Sequence, residues 1–404
     1  MSASPKVNME ALEEAERIMS NSTLSQSDCV ALLNNVTTKF RLWDASFWAH
    51  RLDASQNSTE QNPGGEPEDF RNYFTLSRVL SGAFALLNRL WGMHVVESVH
   101  DKPQVWHPDV RHYRLFNDSQ LLGSFFFDPY ARPNKSSASR TYSLVKRSEV
   151  HDHWPNKVRY PVAVMVTSIV PPESGKPALL DIMDVQNLFH ELGHVIQHLV
   201  NQESQALIAG TTTLPLDLFE MFATFYELWA TEDSILRMMA QDYKTHALLT
   251  ADKQKRLMQA VRRTRPLLTL EQLYFAKMDL SLHLDYKANA TETIFTHRQK
   301  VANDTLLIPY STNNCDFCSL VHTFGHQYAS TYYSYLWSET HASDAMGYFE
   351  EMGISNDTQV RALGNKMAAV LLNDGMSSTD AESQYVKFRG RPVSKEHFVK
   401  HLVF

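Results

Sequence analysis

The heptapeptide LFHELGH at residues 188–194 decides how the rest of this 404-residue sequence is interpreted. On a helix, His190 and His194 are four positions apart, so both imidazoles project from one face and can hold one metal ion. Glu191 is turned about 100° away from His190, so its carboxylate can reach a water on that metal without being a ligand. Apolar residues continue the helical spacing from Val185 to Leu199. The motif therefore predicts a helix suited to zinc-dependent hydrolysis, and a chance match among 18 histidines is the alternative.

A hydrolytic metal site also needs a third protein ligand and an open coordination position. Two candidates lie in DLFEMFATFYE, residues 217–227, where Glu220 and Glu227 are seven residues apart and share one helix face. Phe, Met and Tyr surround them, which indicates buried carboxylates that need a cation or a hydrogen-bond donor. We expect one to be the third ligand and the other to orient an imidazole N–H. A buried salt bridge is the alternative for each.

Three tyrosines form a further candidate group in FGHQYASTYYSYLWSE, residues 324–339. Tyr328, Tyr332 and Tyr335 follow an i, i+4, i+7 spacing, which predicts a stripe of phenols along one helix. A phenol can donate a hydrogen bond to the oxyanion that develops during acyl transfer. Without other motifs, such a stripe is more typical of an aromatic core.

Composition excludes several classes of protein. With 43% hydrophobic and 21% charged residues, the chain is globular and not disordered. Its 38 Lys and Arg against 45 Asp and Glu give a net charge of −7, so no binding to nucleic acid is expected. The longest apolar stretches are shorter than the roughly 18 residues of a membrane span, so no membrane partner is expected either.

Cysteine usage and the N-terminal sequence bear on the compartment. Three cysteines cannot form a disulfide framework in a chain of this size, which indicates a reducing environment. Residues 1–21 include four acidic residues and lack the apolar segment of a signal peptide, so a cytoplasmic location is predicted. Cys315 and Cys318 resemble half of a zinc knuckle, but no second pair exists and a reduced surface loop is expected.

The distribution of apolar residues predicts a mainly α-helical fold with a small β-sheet. Short β-branched or aromatic runs separated by turn residues predict strands over about 94–170. Helical periodicity then extends over about 184–404. The basic segment at residues 253–265 is expected to be a solvated helix face.

Several motifs, in the same order, resemble the thimet oligopeptidase-type zinc metallopeptidases, and most closely their oligopeptidase A branch. The resemblance is carried by WHPDVR (106–111), FDPYARP (127–133), LFHELGHVIQH (188–198), YYSYLWSE (332–339) and FRGRP (388–392). It implies a helix-rich, zincin-like metallopeptidase fold and hydrolysis of short peptides within a deep channel. Members occur in the cytosol and in organelles, so a mitochondrion or another organelle is the alternative location.

Carried over residue by residue, the resemblance assigns one Zn²⁺ to His190, His194 and Glu220 and the role of general base to Glu191. Glu227 matches a second acidic position of the family pattern.

The substrate-binding residues of the family match a second set of positions: His326, Tyr328, Tyr332 and Tyr335. Tyr335 and Tyr328 resemble the donors to the oxyanion. His326 resembles the residue that holds the substrate backbone.

From the resemblance, we expect the long N-terminal helical region of the family to be largely missing from this sequence. We therefore predict a partial N-terminal helical region at residues 1–70 and a zinc metallopeptidase catalytic domain at residues 71–404. The expected partners are short peptides, and a monomer is expected. One alternative is a catalytically weak, zinc-containing remnant that binds peptides. The other is a helical scaffold without metal.

Overall fold

The computed structural model describes most of the chain from Asp69 onward. The described residues are 47, 69–100, 103–149, 157–211, 214–287, 291–308, 315–325, 328–372 and 381–403. Of the predicted N-terminal region at residues 1–70, only residues 47, 69 and 70 are among the described residues. His326 lies outside the described residues. Contacts divide the chain into a first unit, Met1–Glu68 with Leu267–Ser330, and a second unit, Asp69–Pro266 with Thr331–Phe404. The predicted boundary at residue 70 stays a prediction.

The second unit contains a five-stranded sheet. Its strands are β1 (Met93–Glu97), β2 (Arg111–Asn117), β3 (Gln120–Tyr130), β4 (Arg140–Val145) and β5 (Val162–Ile169), in the spatial order β1-β2-β3-β5-β4. Neighbouring strands are antiparallel except for the parallel pair β3 and β5. Alternate residues of β5, beginning with Ala163, are buried, so one face of this strand packs into the core. Strand β4 lies at the edge of the sheet.

Helices make up most of the remaining described chain. In chain order they are α1 (Leu76–Trp91), α2 (Ile182–Val200), α3 (Leu216–Leu228), α4 (Asp233–Met239), α5 (Ala251–Leu284), α6 (Ile294–Thr305), α7 (Asp316–Ser319), α8 (Val321–Phe324), α9 (Ser334–Met352), α10 (Asp357–Met367), α11 (Ala381–Arg389) and α12 (Glu396–Val403). Helices α6, α7 and α8 belong to the first unit, and α5 contributes residues to both units.

Helix α2 carries the LFHELGH motif and begins at a well-formed cap. The Asp181 side chain accepts a hydrogen bond from the backbone N–H of Asp184, and the Asp184 side chain accepts one from the backbone N–H of Asp181. This reciprocal arrangement satisfies two N–H groups that a helix start otherwise leaves unpaired. The apolar residues of the predicted helical pattern, from Val185 to Leu199, are all buried. The cap and the apolar surface together fix the helix that bears the two motif histidines.

The first unit has its own small core. Its buried residues are Tyr274, Met278, Ala302 and Phe317. Asp279 is fully buried, and its Oδ1 accepts a hydrogen bond of 3.1 Å from the backbone N–H of Ser330.

Helices predominate among the described residues and the strands form one small sheet, which confirms the predicted fold class. Within the described part of the chain, no helix combines the length and apolar character needed to cross a lipid bilayer.

Candidate metal centre

Helices α2 and α3 approach each other closely at Gly193, the glycine of the LFHELGH motif. A Cβ atom at this position would lie 2.7 Å from Cα of Ala223 and 3.2 Å from Cβ of Tyr226. A contact of 2.7 Å to a backbone atom is too short for any side chain, so the glycine permits this helix pair to pack. The two helices thereby bring the motif histidines opposite the carboxylates of α3.

Three of the predicted metal-binding side chains converge at this helix pair. Oε2 of Glu220 lies 3.2 Å from Nε2 of His190 and 3.1 Å from Nε2 of His194. One ligand atom from each of the three residues lies within 4.8 Å of the others. Glu220 is 4% exposed and His194 is 7% exposed. The arrangement can hold one metal ion.

The second carboxylate of α3 contacts the other nitrogen of His190. Nδ1 of His190 lies 3.0 Å from Oε2 of Glu227. A carboxylate at Nδ1 fixes the orientation of the ring and directs Nε2 towards Glu220. The ring of His194 is held differently, because it stacks on Phe219 with centroids 4.6 Å apart and an interplanar angle of 19°.

The pKa values of His190 and Glu220 are shifted in opposite directions. Burial lowers the pKa of His190, but hydrogen bonds to Glu220 and Glu227 outweigh it and raise that pKa well above its ordinary value. Burial raises the pKa of Glu220, yet the charge of His194 and the hydrogen bonds of both histidines outweigh this and lower it. Glu220 is therefore an ionised carboxylate in an otherwise buried site. Such a group needs cationic partners, and here two imidazoles face it.

Glu191 lies beside these residues on α2 and is 6% exposed. The hydroxyl of Thr141 on β4 lies 2.8 Å from Oε2 of Glu191 and 3.0 Å from the backbone oxygen of the same residue. Spacing in the sequence gave no sign of Thr141, because it precedes Glu191 by 50 positions and belongs to a strand.

A second unexpected contact joins Arg265 of α5 to Glu339 of α9, whose side chains form an ion pair. Arg265 belongs to the basic segment predicted to be solvated, and for this residue the prediction was wrong: its side chain is 22% exposed. Burial and the negative charge of Glu227 raise the pKa of Glu339, whereas the charge of Arg265 lowers it. The pKa of Glu339 is raised overall. Glu339 therefore lies within electrostatic range of the carboxylate that contacts His190.

The tyrosines do not form the predicted helical stripe. Helix α9 begins at Ser334, so Tyr328 and Tyr332 precede it, and Ser330 between them has a left-handed φ of 65°. Tyr335 is on α9, and its ring contacts that of Tyr332 with centroids 5.2 Å apart. Tyr328 belongs to the first unit, where its ring lies 5.3 Å from that of His322.

Two imidazoles and a carboxylate converge from two helices, and the carboxylate of Glu191 follows the first imidazole in the motif; this arrangement is typical of metal-dependent hydrolases. The chain belongs to peptidase family M3, whose profile matches residues 6–404. The helix-rich metallopeptidase fold expected from the resemblance is thereby confirmed. Family membership and the cluster on α2 and α3 together imply a metal cofactor.

Two curated relatives are both longer than this chain. It is 34% identical to Organellar oligopeptidase A, chloroplastic/mitochondrial, of Arabidopsis thaliana, a match that covers 89% of this chain and 45% of that protein. It is 28% identical to Oligopeptidase A of Escherichia coli K12, over 89% of this chain and 51% of that protein. The chain thus spans about half the length of these curated relatives. Among solved structures, a Pyrococcus furiosus carboxypeptidase matches at a TM-score of 0.49 and 10% identity, over 99% of this chain and 80% of that one.

Proposed function

We propose that this chain is a zinc-dependent metalloendopeptidase that hydrolyses short peptides, with one Zn²⁺ held by His190, His194 and Glu220. The observation that carries the proposal is the convergence of these three ligand atoms within 4.8 Å. Tetrahedral zinc with bonds of about 2.1 Å separates its ligand atoms by roughly 3.4 Å. The distances of 3.1 and 3.2 Å between Glu220 and the two histidines suit such an ion.

When bound, zinc supplies a Lewis acid that lowers the pKa of water towards neutrality and polarises the peptide carbonyl. Glu191 accepts the proton of the attacking water and later delivers it to the departing amine. Glu227 orients His190 through its contact with Nδ1. Each role uses a side chain whose neighbours already constrain its position.

Tyr335 and Tyr328 are proposed as hydrogen-bond donors to the oxyanion, and His326 as the residue that holds the substrate backbone. Support for Tyr335 comes from its position on α9, four residues before Glu339, because residues at this spacing share a helix face. Glu339 is in electrostatic range of Glu227. The roles of Tyr328 and His326 rest on the family motif alone.

Short peptides are the proposed substrates, and a monomer in the cytoplasm is the proposed state, with an organelle as the alternative. The net charge of −7 favours neither nucleic acid nor other polyanions as partners.

A catalytically weak, zinc-containing chain that binds peptides is the second candidate. It is kept because the match covers only about half of each of these relatives, so the activity of those whole proteins is not carried over directly to this chain. Elemental analysis of the purified chain and cleavage of a fluorescence-quenched peptide, with and without a chelator, distinguish the two functions. The peptidase is expected to contain one zinc per chain and to lose activity in chelator and regain it with added zinc. Zinc without cleavage supports the second candidate, and absence of zinc refutes both.

Glu191→Gln is the decisive variant for the mechanism. It retains the shape of the side chain but cannot accept the proton, so zinc content should persist while cleavage is lost. Full activity in Glu191→Gln would remove this residue from the mechanism.

A further inference from the structure

Helix α2 is joined to strand β4 and to the residue that precedes this strand by a row of hydrogen bonds along one helix face. We name this row the polar seam. Its contacts are Asn187 Nδ2 to Ser139 Oγ (2.5 Å), Thr141 Oγ1 to Glu191 Oε2 (2.8 Å) and Ser143 Oγ to His198 Nδ1 (3.2 Å). The helix partners are four and then seven residues apart, spacings that return to the same face of a helix.

The seam is anchored on the strand side by the sheet. Thr141 pairs with Met165 and Ser143 pairs with Ala163 on β5, and both partners are fully buried. Side chains opposite each other in paired strands lie on the same face, so Thr141 and Ser143 lie on the α2 side of the sheet, where Ser143 is still exposed to solvent. Residues of β4 on the other face, such as Tyr142 and Leu144, are exposed. The edge strand thus presents its polar face to α2.

The contact between Ser143 and His198 is structural. Nε2 of His198 lies 2.9 Å from the backbone oxygen of Val145, which makes this nitrogen the donor. Nδ1 is then the acceptor for the hydroxyl of Ser143. Burial lowers the pKa of His198, in keeping with a neutral ring.

The central contact differs because its acceptor is the carboxylate of the proposed general base. The hydroxyl of Thr141 has one hydrogen and two acceptors within reach, the carboxylate and the backbone oxygen of Glu191. The shorter contact is to the carboxylate, and hydrogen bonds to a charged acceptor are the stronger ones. Within the described residues, Oε1 of Glu191 makes no hydrogen bond. One oxygen is therefore held and the other is left for a water.

We propose that Thr141 is the positioning residue of Glu191: its hydroxyl selects the carboxylate conformation in which the second oxygen meets the attacking water. This inference rests on the proposed peptidase function. A glutamate side chain has several rotamers, and fixing one in advance removes an entropic cost from the reacting complex. If the general base is misplaced, kcat falls even when the metal and the substrate are still bound.

Three variants of this chain test the proposal. Thr141→Val removes the hydroxyl but keeps the branched shape that a strand accepts, whereas Thr141→Ser retains the hydroxyl. Ser143→Ala removes a neighbouring seam contact that does not involve Glu191. Thr141→Val should lower kcat about 10- to 100-fold, as loss of an orienting residue does, with KM and zinc content unchanged. Thr141→Ser should recover most of the kcat, and Ser143→Ala should keep it.

Crystal structures of the wild type and of Thr141→Val provide a readout that does not depend on activity. We expect the Glu191 carboxylate to turn away from its wild-type position in the variant. The proposal is overturned if Glu191 is unmoved, if kcat in Thr141→Val stays at the wild-type value, or if Ser143→Ala loses as much kcat. If the wild type binds zinc but cleaves nothing, the peptidase function fails separately, and the two crystal structures still decide whether Thr141 positions Glu191.

Discussion

Nδ1 of His190 lies 3.0 Å from Oε2 of Glu227, while Nε2 of the same ring faces Glu220 at 3.2 Å. One imidazole thus joins two carboxylates that are seven residues apart on α3. Because both carboxylates come from the same helix face, the position of α3 fixes the ring on both sides. Glu220 is therefore suited to hold a metal ion together with His190, and Glu227 is suited to orient the His190 ring.

Replacing Glu227 with Gln should weaken zinc binding. The amide cannot supply the negative charge at Nδ1 that strengthens the opposite nitrogen as a ligand, and loss of such a partner costs about 10- to 100-fold in metal affinity. Competition between the protein and a chromogenic zinc chelator measures the change. Glu173→Gln, which changes an exposed glutamate in a loop, is the matched control and should bind zinc like the wild type. Equal zinc affinities in Glu227→Gln and Glu173→Gln would show that Glu227 does not strengthen His190 as a zinc ligand.

Replacing Gly193 with Ala should destabilise the fold. An alanine favours a helix by about 1 kcal/mol over glycine, but here its Cβ would lie 2.7 Å from Cα of Ala223. Overpacking of this kind costs about 1–3 kcal/mol, so a net loss in the free energy of unfolding is expected. Urea denaturation measures it. Ser81→Ala, at an exposed site on α1, is the control without a clash. A Gly193→Ala protein as stable as the wild type would mean that the helices separate at little cost.

The parts of the site that are local in sequence could be predicted, and the parts made by tertiary packing could not. The i, i+4 spacing of His190 and His194 is a property of any helix, so LFHELGH alone places the two rings together. Thr141 reaches Glu191 only because an edge strand packs on α2. No periodicity of the chain encodes such a contact.

The tyrosine stripe failed for a related reason. The spacing of Tyr328, Tyr332 and Tyr335 is helical, but Ser330 adopts a left-handed conformation that ends any helix there. Such a conformation costs roughly 1–2 kcal/mol in a non-glycine residue. The hydrogen bond from the backbone of Ser330 to the buried Asp279 helps to offset that cost. A tertiary contact therefore outweighed the local pattern.

Removing the cation of the Arg265 and Glu339 pair should destabilise the second unit. In Arg265→Met, Glu339 keeps its burial and the repulsion from Glu227 but loses the larger of the two charges that oppose them, the smaller being that of His401. The loss should be about 1–3 kcal/mol in the free energy of unfolding. Adding Glu339→Gln to Arg265→Met should recover part of it, because the amide carries no charge. A double-mutant cycle followed by urea denaturation gives the coupling. Strict additivity of the two substitutions would show that the residues do not interact.

Acid should weaken the attachment of α12 to α9 through Glu350. Its carboxylate contacts Nε2 of His401 at 3.3 Å and Nζ of Lys400 at 2.8 Å. The hydrogen bond to His401, together with Lys400 and against the effect of burial, lowers the pKa of Glu350 to about 2. Because the folded pKa lies below the unfolded one, the ionised carboxylate stabilises the fold above about pH 4.5. That contribution disappears as the pH falls towards 2.

Glu350→Gln isolates this contribution from the other groups that titrate in acid. At pH 7 the variant should be less stable than the wild type by about 1 kcal/mol, a modest value because the pair is partly exposed to solvent. The difference should shrink between pH 4.5 and pH 2, since protonated Glu350 and glutamine then carry the same charge. Urea denaturation of both proteins at a series of pH values measures it. Glu396→Gln, an exposed change on α12, should show a smaller difference. A difference between Glu350→Gln and the wild type that is the same at pH 7 and pH 3 would contradict the ion-pair origin of the stabilisation.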